Sequence, residues 1–164
     1  MAKTQRRIGG NRKVDVLGPP VRDEPEMVRL LRQQVLAHAR NDVKVFSEYC
    51  FKDERGMPWK LGKHHIRYHK FLTENQRGVI FAPAESGKSK TLVSRLLFEL
   101  GRDPNHTCCW LSNTQDQARK NTRSMRELIE GLPEVREALP NLIPGEPWSD
   151  TGWSLGSRMK GLAD

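Results

Sequence analysis

The segment APAESGKS at residues 82–89 constrains this chain more than any other feature. It consists of Ala82, Pro83, Ala84, Glu85, Ser86, Gly87, Lys88 and Ser89: a small residue, a short variable stretch, then Gly-Lys-Ser. The apolar run Val79-Ile80-Phe81 opens onto it, and an amphipathic stretch follows. Strand, tight loop and helix in that order read as a phosphate-binding loop. Gly87 lets the backbone turn tightly, and successive amides at the helix start suit phosphate oxygens. Lys88 is the expected catalytic cation, reaching the β- and γ-phosphates, and Ser89 offers a hydroxyl to Mg²⁺. The pattern therefore calls for ATP with Mg²⁺. Ala82 stands where a first glycine is usual. Glu85 is unusual beside a polyanion, so its carboxylate is expected to point outward or to meet water, Mg²⁺ or a partner.

The rhythm downstream predicts a helix over 88–100, with Leu92, Leu96 and Leu100 on one stripe and Val93 and Leu97 alongside. Gly101 is expected to end it and Pro104 to prevent its resumption. Residues 106–111 read as a second buried strand, and Ser112, Asn113 and Thr114 as caps for a sparsely apolar helix over 115–130. This order predicts a βαβα unit, and hence an α/β fold of the P-loop NTPase type: a partial, mostly parallel sheet with flanking helices. Residues 134–139 allow one or two helical turns. Pro140, Pro144, Gly145 and Pro147 then argue for irregular chain, anchored by Trp148 and Trp153.

Upstream, Asp23 and Pro25 announce a helix in which Met27, Leu31, Val35 and Ala39 form a stripe, with Leu30 beside them. It runs on through Val43, Phe46 and Cys50 as one helix or a close pair, and is expected to pack on the nucleotide domain. Residues 55–58 form a turn, with Trp59 and Leu61 as anchors after it. A short helix is predicted over 64–74. His65 and His69 share its face, with too few further ligands nearby for a metal, so they read as packing or hydrogen-bonding groups, or as neighbours of the nucleotide. Residues 1–22 carry Lys3, Arg6, Arg7, Arg12 and Lys13 before the first acid. That arm reads either as a solubilising tail or as a contact with nucleic acid or a partner subunit. The organisation expected is thus a basic arm at 1–22, a helical lead-in at 23–76 and a nucleotide-binding portion at 77–164.

At 164 residues the chain suffices for one modest domain. A formal net charge of +8 favours a polyanionic partner such as DNA or RNA. Cys50, Cys108 and Cys109 form neither a disulfide framework nor a zinc site, and read as reduced thiols. No apolar run is long enough to span a membrane. Hydrolysis needs an acid at the end of another strand to organise Mg²⁺. No apolar run ending in paired acids follows Leu111, and neither Asp150 nor Asp164 follows such a run.

Over residues 42–150 the sequence resembles the ATPase domain of the large terminase subunit of tailed bacteriophages. The resemblance lies in Asp42-Val43 with Phe46, in Gly56-Met57-Pro58-Trp59-Lys60-Leu61, and in His64-His65 with Tyr68. It continues through 79–89 and through Trp110-Leu111-Ser112-Asn113-Thr114 with Ala118. It implies a motor that uses ATP to drive double-stranded DNA into a procapsid, alongside a portal protein and a small terminase subunit, in the cytoplasm of an infected bacterial host. It also implies that the segment around Leu61 and Tyr68 sits beside the adenine. The family's second acidic motif and its nuclease carboxylates would lie beyond residue 164. Many members carry an arginine where this chain has Ala84, which calls for a finger from a neighbouring subunit. Residues 151–164 match poorly, as expected of a divergent, truncated or interrupted frame. Two other classes remain open: another P-loop ATPase or kinase, helicase-like included, and a non-catalytic remnant that binds nucleotide without turnover. Arg119, Lys120 and Arg123 read either as a solvated helix face or as contacts to DNA phosphates.

Overall fold

The computed structural model describes residues 25–156. The basic arm, Asp23 and the last residues, Asp164 among them, lie outside that range. The first helix, α1, spans Glu26–Ala39, and α2 spans Val43–Cys50. They are a close pair because Asp42 interrupts the run: its backbone is extended and its side chain accepts the Lys44 N–H at 2.8 Å, capping α2. Then follow α3 at Lys63–Glu74, α4 at Lys88–Arg102, α5 at Gln115–Gly131 and α6 at Pro133–Ala138. Thr114 caps α5 by accepting the Gln117 N–H at 3.3 Å. Pro133 opens α6, where its missing N–H costs nothing.

The sheet expected from the sequence is not formed. Among the described residues the strands are β1, Pro144–Trp148, and β2, Trp153–Leu155, which pair antiparallel as one hairpin. Residues 78–81 and 106–111 run without ladder partners, and Val79, Phe81 and Leu111 are 72, 93 and 87 % exposed. The fold is therefore mostly helical, and the α/β assignment with a parallel sheet is corrected. A strand is stable only through its neighbours, whereas α4 here packs on α2 and α3, so the apolar faces close helix on helix.

The core lies where α2, α4 and α6 meet. Phe46 of α2 stands 5.8 Å from Phe98 of α4 and edge-on to Phe51 at 6.2 Å; Trp59 joins Phe51 at 6.1 Å. Leu97, Ile129, Val135 and Leu142 complete it, all fully buried. α4 ends one residue past Gly101, at Arg102, and Gly101 itself is buried in the last turn; a Cβ there would lie 2.6 Å from Leu139 Cβ. Glycine at this point also admits a neighbour. The stripe on α1 also differs from expectation: Ala39 is buried, but Met27, Leu30, Leu31 and Val35 face outward. Polar groups hold α1 in place. Arg32 grips both Glu137 carboxylate oxygens at 2.7 and 2.8 Å, and Arg40 donates to the Ala138 carbonyl at 3.1 Å.

The chain of 140–150, expected to be irregular, instead forms the hairpin. Trp148 and Trp153 oppose each other across it with ring centroids 5.2 Å apart. Prolines are tolerated because each strand has a free edge. Asp150 at the tip binds Arg123 and Arg126 of α5, and Trp148 Nε1–H donates to Glu130.

Candidate functional site

Gly87 positions the loop. Its φ of 72° is left-handed, and it precedes α4 with no side-chain cap. The first amides of a helix have no intrahelical acceptor, so an uncapped start presents donors and the positive end of the helix dipole. Thr91 secures this first turn, its N–H and its hydroxyl both donating to the Gly87 carbonyl, at 2.9 and 3.0 Å. Ala84 and Glu85 form the turn ahead of it, and Glu85 holds a φ of 61° with its side chain exposed. A left-handed non-glycine residue is uncommon, which makes the loop a specifically shaped one. Ala82 is half-buried, and Pro83 and Ala84 are exposed. The Ser86 hydroxyl is buried without a partner among the described residues.

Lys88 folds its ammonium back onto the Pro83 carbonyl at 3.3 Å, bridging the two ends of the loop. Ser89 follows, exposed, in the first turn of α4. Lys90, next in line, does not serve the loop: it donates to the Lys52 carbonyl at 2.6 Å and lies over the Trp59 ring at 4.9 Å. Residues 82–89 thus run from irregular chain at Ala82 and Pro83, through the turn at Ala84 and Glu85 and the bend at Ser86 and Gly87, into the first turn of α4 at Lys88 and Ser89.

Beneath the loop lies the start of α3. His65 is 8 % exposed and touches the loop directly, its Nε2 standing 3.0 Å from the Ser86 carbonyl. Around it gather Trp59 at 4.9 Å, His64 at 3.9 Å and Tyr68 at 6.3 Å, measured between ring centroids. Burial, the adjacent His64 and Lys90 hold the His65 imidazole below its ordinary pKa, although the Ser86 carbonyl opposes them. His69 has a different environment: it is 2 % exposed, neither ring nitrogen has a partner among the described residues, and burial with the nearby Arg95 pushes its pKa down to about 4. The histidine pair therefore divides, His65 to the loop and His69 to the interior. The direct contact between His65 and the loop is not evident in the sequence; its signal is the spacing Gly62-x-x-His65, which places a side chain over a helix start.

Two larger cavities, of about 430 and 410 Å³, open elsewhere: one between α4, α5 and the hairpin, the other between α2, α3 and α4. The loop itself is a wrap of backbone around the end of a helix. Arg119, Lys120 and Arg123 have different surroundings on α5. Arg123 is paired with Asp150, Arg119 is half-buried along the larger cavity, and Lys120 is exposed. The arginine pairing holds the Asp150 carboxyl below its usual range. No helix among the described residues is long and apolar enough to cross a membrane. Comparison of the chain with protein-family models, with curated proteins and with solved structures returns no match.

Proposed function

We propose that residues 82–89 bind ATP with Mg²⁺, and that the chain is the nucleotide-binding part of a phage large terminase subunit. The observation that carries this reading is the left-handed Gly87 leading into an uncapped helix whose first turn bears Lys88 and Ser89. The donor set fits the ligand. Backbone amides at the start of α4 suit phosphate oxygens, Lys88 is within reach of them once it leaves the Pro83 carbonyl, and Ser89 offers an exposed hydroxyl to the metal. Mg²⁺ would supply charge neutralisation between the phosphates. The rings of His64 and Tyr68, 5.8 Å apart beside the loop, offer a surface for the base. The terminase assignment rests on the motifs around this site and on the net charge of +8, which suits a double-stranded DNA partner. In that setting the portal protein and the small terminase subunit are the protein partners, and the host cytoplasm is the place of action.

For the chain taken by itself, binding without turnover is the better reading. The sheet among the described residues is an antiparallel hairpin, so no parallel strand brings an acid to Ser89. Calorimetric titration with ATP and Mg²⁺ should give saturable binding, weakened at least about tenfold by Lys88→Ala, as expected for a lost charged hydrogen bond to phosphate. Hydrolysis by the chain alone should stay at background. Absence of saturable binding would refute the nucleotide reading, and robust turnover lost in Lys88→Ala would refute the non-catalytic one. The terminase assignment is tested by capture of portal protein or small terminase subunit on the immobilised full chain. Capture of neither overturns it.

A further inference from the structure

We propose that His65 is a positioning residue for the phosphate loop: its neutral ring pins the Ser86 carbonyl and so fixes the plane of the Ser86–Gly87 peptide. The inference rests on the nucleotide reading of the loop. Three features of the geometry lead to it.

The first is the tautomer. His65 Nδ1 lies 3.0 Å from the Gly62 amide nitrogen. A backbone N–H can only donate, so Nδ1 accepts and carries no proton. In the neutral ring the proton then sits on Nε2, which donates to the Ser86 carbonyl at 3.0 Å. Both ring nitrogens are engaged, one at the start of α3 and the other in the loop. An imidazolium would set an Nδ1–H against the Gly62 N–H, two donors face to face. His64 and Tyr68 on α3, with Lys90 on α4, surround the ring, and His64 and Lys90 disfavour added positive charge there.

The second is the peptide plane. In a trans peptide the carbonyl and the following N–H point in opposite directions. With the Ser86 carbonyl held down toward α3, the Gly87 N–H is turned to the far side, away from α3. A phosphate can approach from that side, because the buried His65 ring occupies the other. The third is the fit around Gly87. A Cβ at that position would lie 2.4 Å from His65 Nε2, so the glycine serves both the left-handed φ and the close approach of the ring.

The test uses the full chain with His65→Gln and His65→Phe. A glutamine amide places a donor near the Nε2 position, whereas phenylalanine keeps the bulk and has no donor. Titration with ATP and Mg²⁺ should show His65→Phe weakened about tenfold and His65→Gln within about threefold of the parent. Ring ¹⁵N shifts of the parent should report an Nε2–H tautomer, and the Ser86 carbonyl ¹³C shift, which senses the lost hydrogen bond, should move further from the parent in His65→Phe than in His65→Gln without ligand. Equal ATP affinity in parent and His65→Phe, a His65→Gln variant as weak as His65→Phe, or an Nδ1–H tautomer would each overturn the proposal. Should the parent not bind ATP, the nucleotide reading fails by itself. The Ser86 carbonyl ¹³C shift then decides the clamp: a change confined to His65→Phe sustains it, and equal shifts in the two variants overturn it.

Discussion

The two inward histidines of α3 show how far a single environment can separate identical side chains. His65 finds a partner for each nitrogen; His69, one turn on, finds none among the described residues and is held neutral by burial and by Arg95. The folded pKa of His69, about 4, lies below that of an unfolded histidine near 6.5. The unfolded chain therefore binds the proton more readily in between, and the stability contributed by a neutral His69 is complete above 6.5 and lost as pH falls toward 4. The expected loss is roughly 2 kcal/mol, or on the order of 5 °C in Tm, after allowance for partial solvent screening. Thermal melts of the parent and of His69→Leu across that range check this: the leucine variant should lose the part of the slope that belongs to His69. Parallel curves would show that the interior histidine does not set the acid response.

Among the elements, Gly101 carries the most pointed expectation. Gly101→Ala places a methyl 2.6 Å from Leu139 Cβ, an atom fixed by its own backbone, and so should destabilise by about 1–3 kcal/mol despite the better helix propensity of alanine. Urea denaturation reads the change, and a gain in stability would contradict the packing. The same residue shows what was legible in the sequence. The helices on either side of residues 105–114 could be read because their signals are local: Thr114 among the caps offered for α5, and apolar spacing on α4; the Asp42 cap that separates α1 from α2 has no such period to announce it. The stop at Gly101 could be read to within one residue, but not its approach to Leu139, because a glycine that ends a helix and one that admits a neighbour look alike in sequence. Strands were the weaker reading. A four-residue apolar run such as 78–81 has no period to reveal whether a partner exists, and here the helices satisfy one another first. The hairpin was hidden for the opposite reason: Pro144 and Pro147 discourage a strand, yet in a two-stranded sheet they stand where no second ladder is needed. The left-handed turn into α4 is legible in Gly87, whereas the contact that His65 makes with it depends on where α3 docks.

At the scale of the molecule, core residues come from both ends of the described chain. Val135, Ala138 and Leu142 pack with Phe46 and Cys50, and Glu137 answers Arg32 and Tyr49 across the same junction. Between them, residues 105–114 run over the surface without a ladder, largely exposed. Only Cys108 and Trp110 of this link pack against the core. A cut there should leave two fragments that stay associated. Coexpressed pieces ending at Asn105 and beginning at His106 should copurify and melt as one cooperative unit, at a Tm below that of the intact chain because joining them carries an entropic cost. Pieces that separate on a sizing column would contradict this. The Arg32–Glu137 grip thus has a meaning beyond one ion pair. It makes the molecule a closed ring of contacts with an optional seam, and the loop at 82–89, which lies on the first fragment together with α3, would retain its shape on one side of that seam.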